Sequence, residues 1–252
     1  MAKAKSTKTA KTTTAKSKSA ATTVRRKTTA NTSLVKRLVT SELRLGALFA
    51  ELIGVFVLTV AVLNTGGNVI VAALAVLVLV LALSKLSGGH VNPVVTLSLL
   101  ATRQMSPWRA VGYLVAQTLG AMLALIVVTQ FVLSGTTQLG AEVFKVQELT
   151  GDWKPFFAEA LGGLVFGFGV AAAFLGRKEG YDAAFTIGGA LLLALLVATL
   201  GSAAIVNPAV ALGLSAYTGN LWSVAAYALG PVVGGIAGAW LYKLLQRDVE
   251  NA

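Results

Sequence analysis

Long apolar stretches separated by short polar breaks fill the chain from about residue 45 onwards. A helix needs about 20 apolar residues to cross the hydrocarbon core of a bilayer. Stretches of this order predict six membrane-spanning helices, near residues 45–63, 69–86, 110–132, 155–175, 183–201 and 222–244. Charged residues interrupt the first five appreciably only at Glu51, Lys85 and Glu159. The pattern therefore predicts an all-α membrane protein.

Two shorter apolar segments each begin with an Asn-Pro pair, in SGGHVNPVVT and in GSAAIVNPAV. Asn is a favoured helix N-cap, and Pro suits the first helical position. The motif residues are Asn92, Pro93, Val94, Asn207, Pro208 and Ala209. About ten helical residues reach only about 15 Å, half the hydrocarbon thickness. The segments near 92–101 and 207–217 are therefore predicted to be re-entrant half-helices, whose non-helical approach must be buried or line a cavity.

The same elements recur in the same order in two halves, about 45–132 and 153–244. Each half has a span that carries a glutamate (Glu51 or Glu159), a second span, an Asn-Pro half-helix and a span with a tyrosine near its start. Because each half has three spans, the second copy enters the membrane upside down. The sequence thus predicts an inverted repeat with its site at the bilayer midplane.

Two half-helices that enter from opposite faces meet with their N-terminal ends, which carry partial positive charge and free N–H groups. The amides of Asn92 and Asn207 add further N–H donors. A neutral oxygen can accept these bonds, whereas a cation meets positive potential. The pattern indicates a filter for neutral solutes. A nucleophile–base pair and a phosphate-binding loop are both missing, so we predict no enzymatic activity.

Thiol chemistry and a Cys/His metal site are excluded by composition, because the chain has no cysteine and His90 is its single histidine. No cofactor is therefore predicted. With 56% hydrophobic and only 12% charged residues, the chain lacks the surface charge of a large soluble helical protein.

All of the net charge of +11 lies at the N-terminus. Residues 1–44 hold 12 basic residues and one acidic residue, while the other 9 basic and 9 acidic residues cancel. The Lys/Ala/Thr/Ser-rich composition predicts a disordered tail over 1–40, ahead of a channel domain over 41–247. Basic tails bind nucleic acid or anionic lipid; a solvated tail that only fixes the topology is the simpler interpretation.

The remaining basic residues predict the orientation. With six spans and a cytoplasmic tail, the other cytoplasmic segments hold three basic pairs: Arg103 and Arg109, Arg177 and Lys178, and Lys243 and Arg247. This distribution follows the positive-inside rule. We expect a multi-pass protein of the plasma (inner) membrane with both termini in the cytoplasm.

The sequence resembles the aquaporin (major intrinsic protein) family over about 45–244. The matching pieces are FAELIGVFVL, SGGHVNPVVT, YLVAQTLGAMLA, FFAEALGGLVFGF, the loop into NPAV, and YALGPVVGGIAGAWLY. The resemblance implies six spans, two half-helices, one pore per protomer and a homotetramer in the lipid bilayer. It also implies that Glu51 and Glu159 accept hydrogen bonds from the two re-entrant loops, and that His90 makes a pore or loop hydrogen bond.

The chain departs from this family at the outer constriction. Val210 stands where the family usually has Arg after Asn-Pro-Ala, and the other constriction positions correspond to Ala72, Leu195 and Ala204. All four are apolar, unlike the pattern of either the water-selective or the glycerol-conducting members. We expect a passive channel for water and small uncharged solutes. The alternatives are a channel for larger or less polar neutral solutes (polyols, urea, gases) and a non-conducting scaffold tetramer.

Overall fold

A computed structural model describes residues 43–132, 153–218 and 225–251 of the chain. In the described part of the compact unit that starts at Leu45, all of the regular secondary structure is helical. Its helices are α1 (Leu45–Asn64), α2 (Val69–Leu83), α3 (Pro93–Ala101), α4 (Pro107–Val132), α5 (Lys154–Phe174), α6 (Gly180–Ala198), α7 (Pro208–Thr218) and α8 (Gly230–Glu250). A π-helical turn, Ala225–Leu229, leads into α8. The predicted tail over 1–40 lies outside the described residues.

The predicted all-α fold is confirmed, with α3 and α7 as the two half-helices. Within the described residues, five helices are long and apolar enough to cross a bilayer: α1, α4, α5, α6 and the final helix with its π-helical turn. Helix α2 is shorter, at 15 residues, and ends before the predicted residue 86. The chain must turn there to bring the first Asn-Pro pair back into the protein. Gly89 allows this turn with φ +65°, and a Cβ on it would lie 3.1 Å from Val80 Cα.

Other helix boundaries also differ from the prediction: α6, for example, occupies Gly180–Ala198 rather than 183–201. Helix α4 begins at Pro107 rather than near 110, because Pro is tolerated in the first turn and the Ser106 hydroxyl accepts a bond from the Arg109 N–H at 3.3 Å. Helix α8 continues to Glu250, past the predicted end at 244, because its polar last turns (QRDVE) are made of residues that a helix in water accommodates.

The helices pack as two similar halves, α1–α4 and α5–α8. Helix α1 packs on α4 in the first half, and α5 packs on α8 in the second. Each half-helix also packs against the last helix of the opposite half: α3 on α8, and α7 on α4. Helices α2 and α6 close the contact between the halves. This arrangement brings both Asn-Pro pairs to one place.

Glycines let α5 and α8 approach closely. A Cβ on Gly163 would meet the backbone of Pro231, and one on Gly167 the backbone of Gly235. In the other direction, a Cβ on Gly234 would meet Ala160. Small residues at such positions let the backbones of membrane helices touch.

We expect Gly234→Ala to lower the thermal stability of the purified protein, because the added methyl group forces α5 and α8 apart. Overpacking of this kind costs about 1–3 kcal/mol. The matched control is Gly189→Ala, because a Cβ on Gly189 meets nothing within 4 Å. Thermal unfolding in detergent compares the two variants. Equal melting temperatures would show that this helix pair tolerates a wider separation.

Candidate functional site at the meeting of the half-helices

Asn92 and Asn207 tie the two half-helices together. The Asn92 side chain accepts from the N–H of Val94 at 2.8 Å, and its Nδ2 donates to the carbonyl of Val206 at 2.8 Å. Asn207 repeats this with the N–H of Ala209 at 3.2 Å and the carbonyl of Val91 at 3.1 Å. Each asparagine therefore caps its own helix and binds the loop before the other. The N-terminal ends of α3 and α7 face each other across these bonds.

The carbonyl groups that accept these bonds belong to strained residues. Val91 and Val206 both have φ +43°, in the left-handed region, which β-branched residues rarely adopt. Such a conformation costs of order 1–3 kcal/mol and persists only where its surroundings impose it. Here the imposing contacts are the asparagine bonds on one side and two buried carboxylates on the other.

The side-chain carboxylate of Glu51 binds the loop that leads into α3. It accepts from the backbone N–H groups of His90 (2.9 Å) and Val91 (2.8 Å). It also accepts from the Ser87 hydroxyl (2.6 Å) and from Gln117 Nε2 (2.7 Å). The carboxylate, which is fully buried, thus satisfies four donors from two segments of the chain, the loop before α3 and helix α4. A carboxylate inside a membrane protein requires such polar partners.

Glu159 holds the loop before α7 in the same way, with three donors. It accepts from the N–H groups of Ile205 (2.9 Å) and Val206 (2.8 Å) and from the Ser202 hydroxyl (2.7 Å). In place of the fourth donor, the second half has Pro231 at the position equivalent to Gln117. We call each glutamate with its donors a carboxylate clamp. The two clamps are alike in their backbone N–H donors and their serine, and they differ because, among the described residues, only Glu51 has a glutamine donor.

The sequence analysis missed three residues of these clamps: Ser87, Ser202 and Gln117. A signal for the serines was present, since each lies five residues before its asparagine. The repeated tyrosines also bind the loops. Tyr113 Oη donates to the Ser87 carbonyl at 2.6 Å, and Tyr227 Oη accepts from the Ala203 N–H at 3.2 Å.

His90 is buried where α3, α4 and the end of α5 meet. Its Nδ1 lies 3.1 Å from Thr96 Oγ1, and its ring contacts those of Tyr113 and Phe174 edge-on, with centroids 5.0 and 5.7 Å away. Only 5% of the residue is exposed. The structure therefore places His90 in a hydrogen bond that joins the loop to α3.

An apolar cavity of about 200 Å³, which we call the outer cavity, lies on the α7 side of the asparagine pair. It brings together all four predicted constriction residues, Ala72, Leu195, Ala204 and Val210. Asn207 supplies the single polar side chain of its lining among the described residues. The loop 203–206 adds backbone, but its N–H groups are all engaged by Tyr227, Ser202 and Glu159. Carbonyl oxygens are the polar groups that this loop has left for the cavity.

A second cavity, of about 600 Å³, lies at the opposite ends of α2 and α6. We call it the vestibule. Its polar lining residues are Ser84, Lys85, Lys178, Glu179 and Tyr181. Helices α2 and α6 thus connect two openings, and the paired half-helix ends lie between them. Two cavities at opposite ends of the same helix pair, one of them lined by Asn207, are what a solute pathway through the bundle requires.

Comparison with known proteins agrees with this arrangement. Aquaporin NIP1-1 from Zea mays is 36% identical over 189 residues, which cover 71% of this chain and 63% of that protein. Glycerol uptake facilitator protein-like 6 from Lactiplantibacillus plantarum is 32% identical over 216 residues, which cover 79% and 97% of the two chains. The chain spans just under two thirds of the length of the first plant relatives that it matches.

The fold has a counterpart among solved structures. The X-ray structure of the aquaglyceroporin from Plasmodium falciparum aligns with a TM-score of 0.63 over 82% of this chain and 99% of that one, at 20% sequence identity. The family model for the major intrinsic protein matches residues 37–242. With its paired Asn-Pro half-helices and this match over most of its length, the chain belongs to the major intrinsic protein family.

Proposed function

We propose that this protein is a passive channel for water and small uncharged solutes. The observation that carries the proposal is the reciprocal pairing of Asn92 and Asn207 across the facing ends of α3 and α7. Helix N-termini and amide groups offer donors to a neutral oxygen, while their positive potential opposes cations and protons. The relatives named aquaporin and glycerol uptake facilitator support the same class of function.

A second candidate is a channel in which larger or less polar neutral solutes pass more readily than in a strict water channel. The outer cavity favours it, because Asn207 is the single polar side chain in the described lining and Val210 brings no charge. A polyol or urea can lose part of its hydration there and still reach the carbonyl oxygens of the loop 203–206.

A panel of osmolytes separates these functions. The purified full-length chain is reconstituted in liposomes, and stopped-flow light scattering measures water, glycerol and urea permeability at equal protein density. Permeability to all three supports the second candidate, and permeability to water alone supports a strict water channel. If every rate equals that of empty liposomes, the protein is a non-conducting scaffold and the proposed function is wrong.

We expect Asn207→Asp to admit monovalent cations and to weaken the fold. The new carboxylate places a negative charge where the helix ends are positive. It also faces the Val91 carbonyl with an acceptor instead of a donor, which leaves that buried carbonyl unpaired at a cost of about 1–3 kcal/mol. Sodium flux into liposomes measures the first effect, with Asn68→Asp, at the exposed N-cap of α2, as the control. An inserted Asn207→Asp variant without a sodium leak would place the cation barrier elsewhere.

Orientation and assembly complete the proposal. We infer that both termini are cytoplasmic, which is supported by the pocket that Arg177, Lys243 and Arg247 share at one face of the bundle. The homotetramer implied by the family remains a proposal, as does the plasma membrane as its location.

The basic tail is proposed to be dispensable for conduction. It holds the net charge, whereas every repeat element lies between residues 45 and 244. We expect deletion of residues 1–33 to leave water permeability per inserted protein unchanged, as measured by stopped-flow in liposomes. A deletion variant that inserts normally but no longer conducts would contradict this.

A further inference from the structure

A third pocket, of about 250 Å³, lies outside the pathway, and we call it the basic pocket. It is formed by the C-terminal ends of α5 and α8 and by the turn after α3. Its lining consists of Gln104, Phe174, Leu175, Arg177, Lys243, Gln246, Arg247 and Glu250. Phe174 also lines the vestibule.

The basic pocket has an excess of cations. Its three basic side chains and one acidic side chain leave a formal charge of +2. The acid, Glu250, accepts from Gln246 Nε2 at 2.9 Å. Within the described residues, the guanidinium groups of Arg177 and Arg247 have no hydrogen bond or ion pair with a protein group. Two planar groups with five N–H donors each therefore border one small space, with their donors available to a ligand.

The third cation, Lys243, is held in place. Its Nζ donates to the carbonyl of Thr102, at the end of α3, at 2.9 Å, and lies 4.9 Å from the centre of the Trp240 ring. An ammonium group has three donors, so this bond leaves others for a ligand. The side chain of Arg177 is exposed, and its backbone after the end of α5 is left-handed, with φ +51°. This is a conformation that a non-glycine residue adopts only under constraint.

The basic pocket lies at the polar end of α8, whose last residues are QRDVE. Leu241, Leu244 and Leu245 precede Arg247 on α8 and are 43%, 56% and 50% exposed. They give α8 an apolar surface that suits lipid chains. This surface lies on the opposite side of the helix from the pocket residues Lys243 and Arg247, so lipid chains on it do not border the basic pocket. Arginine side chains bind phosphate oxygens in pairs of parallel hydrogen bonds, and a lysine adds a point charge.

We propose that the basic pocket binds a phosphate group, carried either by a lipid headgroup or by a soluble phosphate ion. Arg177 and Arg247 bind its oxygens from two sides, and Lys243 adds charge from the wall next to α3. This site is separate from the solute pathway, and its occupancy does not depend on whether the channel conducts.

The test compares ligands with and without phosphate on the full-length chain in detergent. Native mass spectrometry measures retention of phosphatidic acid and of diacylglycerol with the same acyl chains, and calorimetry measures binding of inorganic phosphate. The pocket variant is Arg177→Gln with Arg247→Gln. The matched control is Lys85→Gln with Lys178→Gln, which removes the same charge from the vestibule. Thermal unfolding verifies that both variants are folded.

We expect phosphatidic acid to be retained over diacylglycerol, and the pocket variant to bind at least about tenfold more weakly than the control. If binding of inorganic phosphate also depends on the two arginines, the ligand can be a soluble ion. If only the binding of phosphatidic acid depends on them, the ligand is a lipid. The proposal is overturned if neither phosphate ligand binds, or if both variants lose binding equally. If the pocket variant does not fold, Arg177→Lys with Arg247→Lys takes its place, with weaker binding expected at unchanged charge. If the proposal is overturned, the role left for the three cations is to balance the partial negative charge at the C-terminal ends of α3 and α5.

Discussion

Glycerol and urea permeability are expected to fall roughly tenfold or more in Val210→Arg, while water permeability falls much less. Val210 is only 2% exposed and lines the outer cavity of about 200 Å³. An arginine there occupies much of the space, adds a fixed positive charge and donates to passing oxygens. The carbonyl oxygens of the loop 203–206 provide acceptors for its guanidinium, so we expect the variant to insert and fold.

The control is Val210→Leu, which adds volume without charge or donors. Water, glycerol and urea permeability are measured for both variants in liposomes at equal protein density. A proton flux assay adds a second measurement, since the arginine variant is expected to leak fewer protons than the wild-type chain. If the three permeabilities change in proportion, or do not change, Val210 does not line the narrowest part of the pathway.

Glu159→Gln is expected to cost about 2–4 kcal/mol of stability and to abolish conduction in most of the protein. The carboxylate accepts from two backbone N–H groups and one hydroxyl, whereas a glutamine offers one acceptor and points an NH₂ group at a donor. Each buried donor left unpaired costs about 1–3 kcal/mol. Without this clamp, the left-handed conformation of Val206 loses its support.

Glu51→Gln is expected to be milder, because a neighbouring amide can adapt. Gln117 Oε1 is buried and has no hydrogen-bond partner within the described residues. A flip of the Gln117 amide would let this oxygen accept from the side-chain NH₂ group that the substitution introduces. The double change Glu51→Gln with Gln117→Leu removes this rescue and should lower the melting temperature well beyond Glu51→Gln alone.

An exposed carboxylate controls for the chemical change itself. Glu179→Gln lies at the edge of the vestibule and should leave the melting temperature unchanged. The measurements are thermal unfolding in detergent and stopped-flow permeability in liposomes. If Glu159→Gln unfolds at the wild-type temperature, the loop before α7 is held by contacts other than the carboxylate.

The order and kind of the elements could be read from the sequence because they depend on near neighbours along the chain. The length of each apolar stretch decides whether a helix can span. Asn-Pro decides where a half-helix begins, as it does at Asn92 and Asn207. The recurrence of Glu51 and Glu159 in corresponding spans revealed the repeat. Each of these features can be recognised without knowing any contact between residues that are far apart along the chain.

Helix ends were harder to predict, since tertiary contacts and solvent decide them. The apolar run continues to residue 86, but α2 ends at Leu83 because the chain must turn towards Val91 and Glu51. Helix α8 runs on to Glu250 although its last residues are polar. Hydrophobicity marks what lies in lipid, and a helix can extend beyond that region.

The sequence by itself determined the fold class, the inverted repeat and the position of both half-helices, because local patterns specify them. Only the tertiary structure decided which groups bind each other. It directed Asn92 to Val206 and Asn207 to Val91, 114 and 116 residues away along the chain, and brought Gln117 to Glu51. It likewise gathered Ala72, Leu195, Ala204 and Val210 around one apolar cavity and placed Arg177 and Arg247 together beside another pocket. Hydrogen bonds and cavities depend on distances in space, and separation along the chain does not encode those distances.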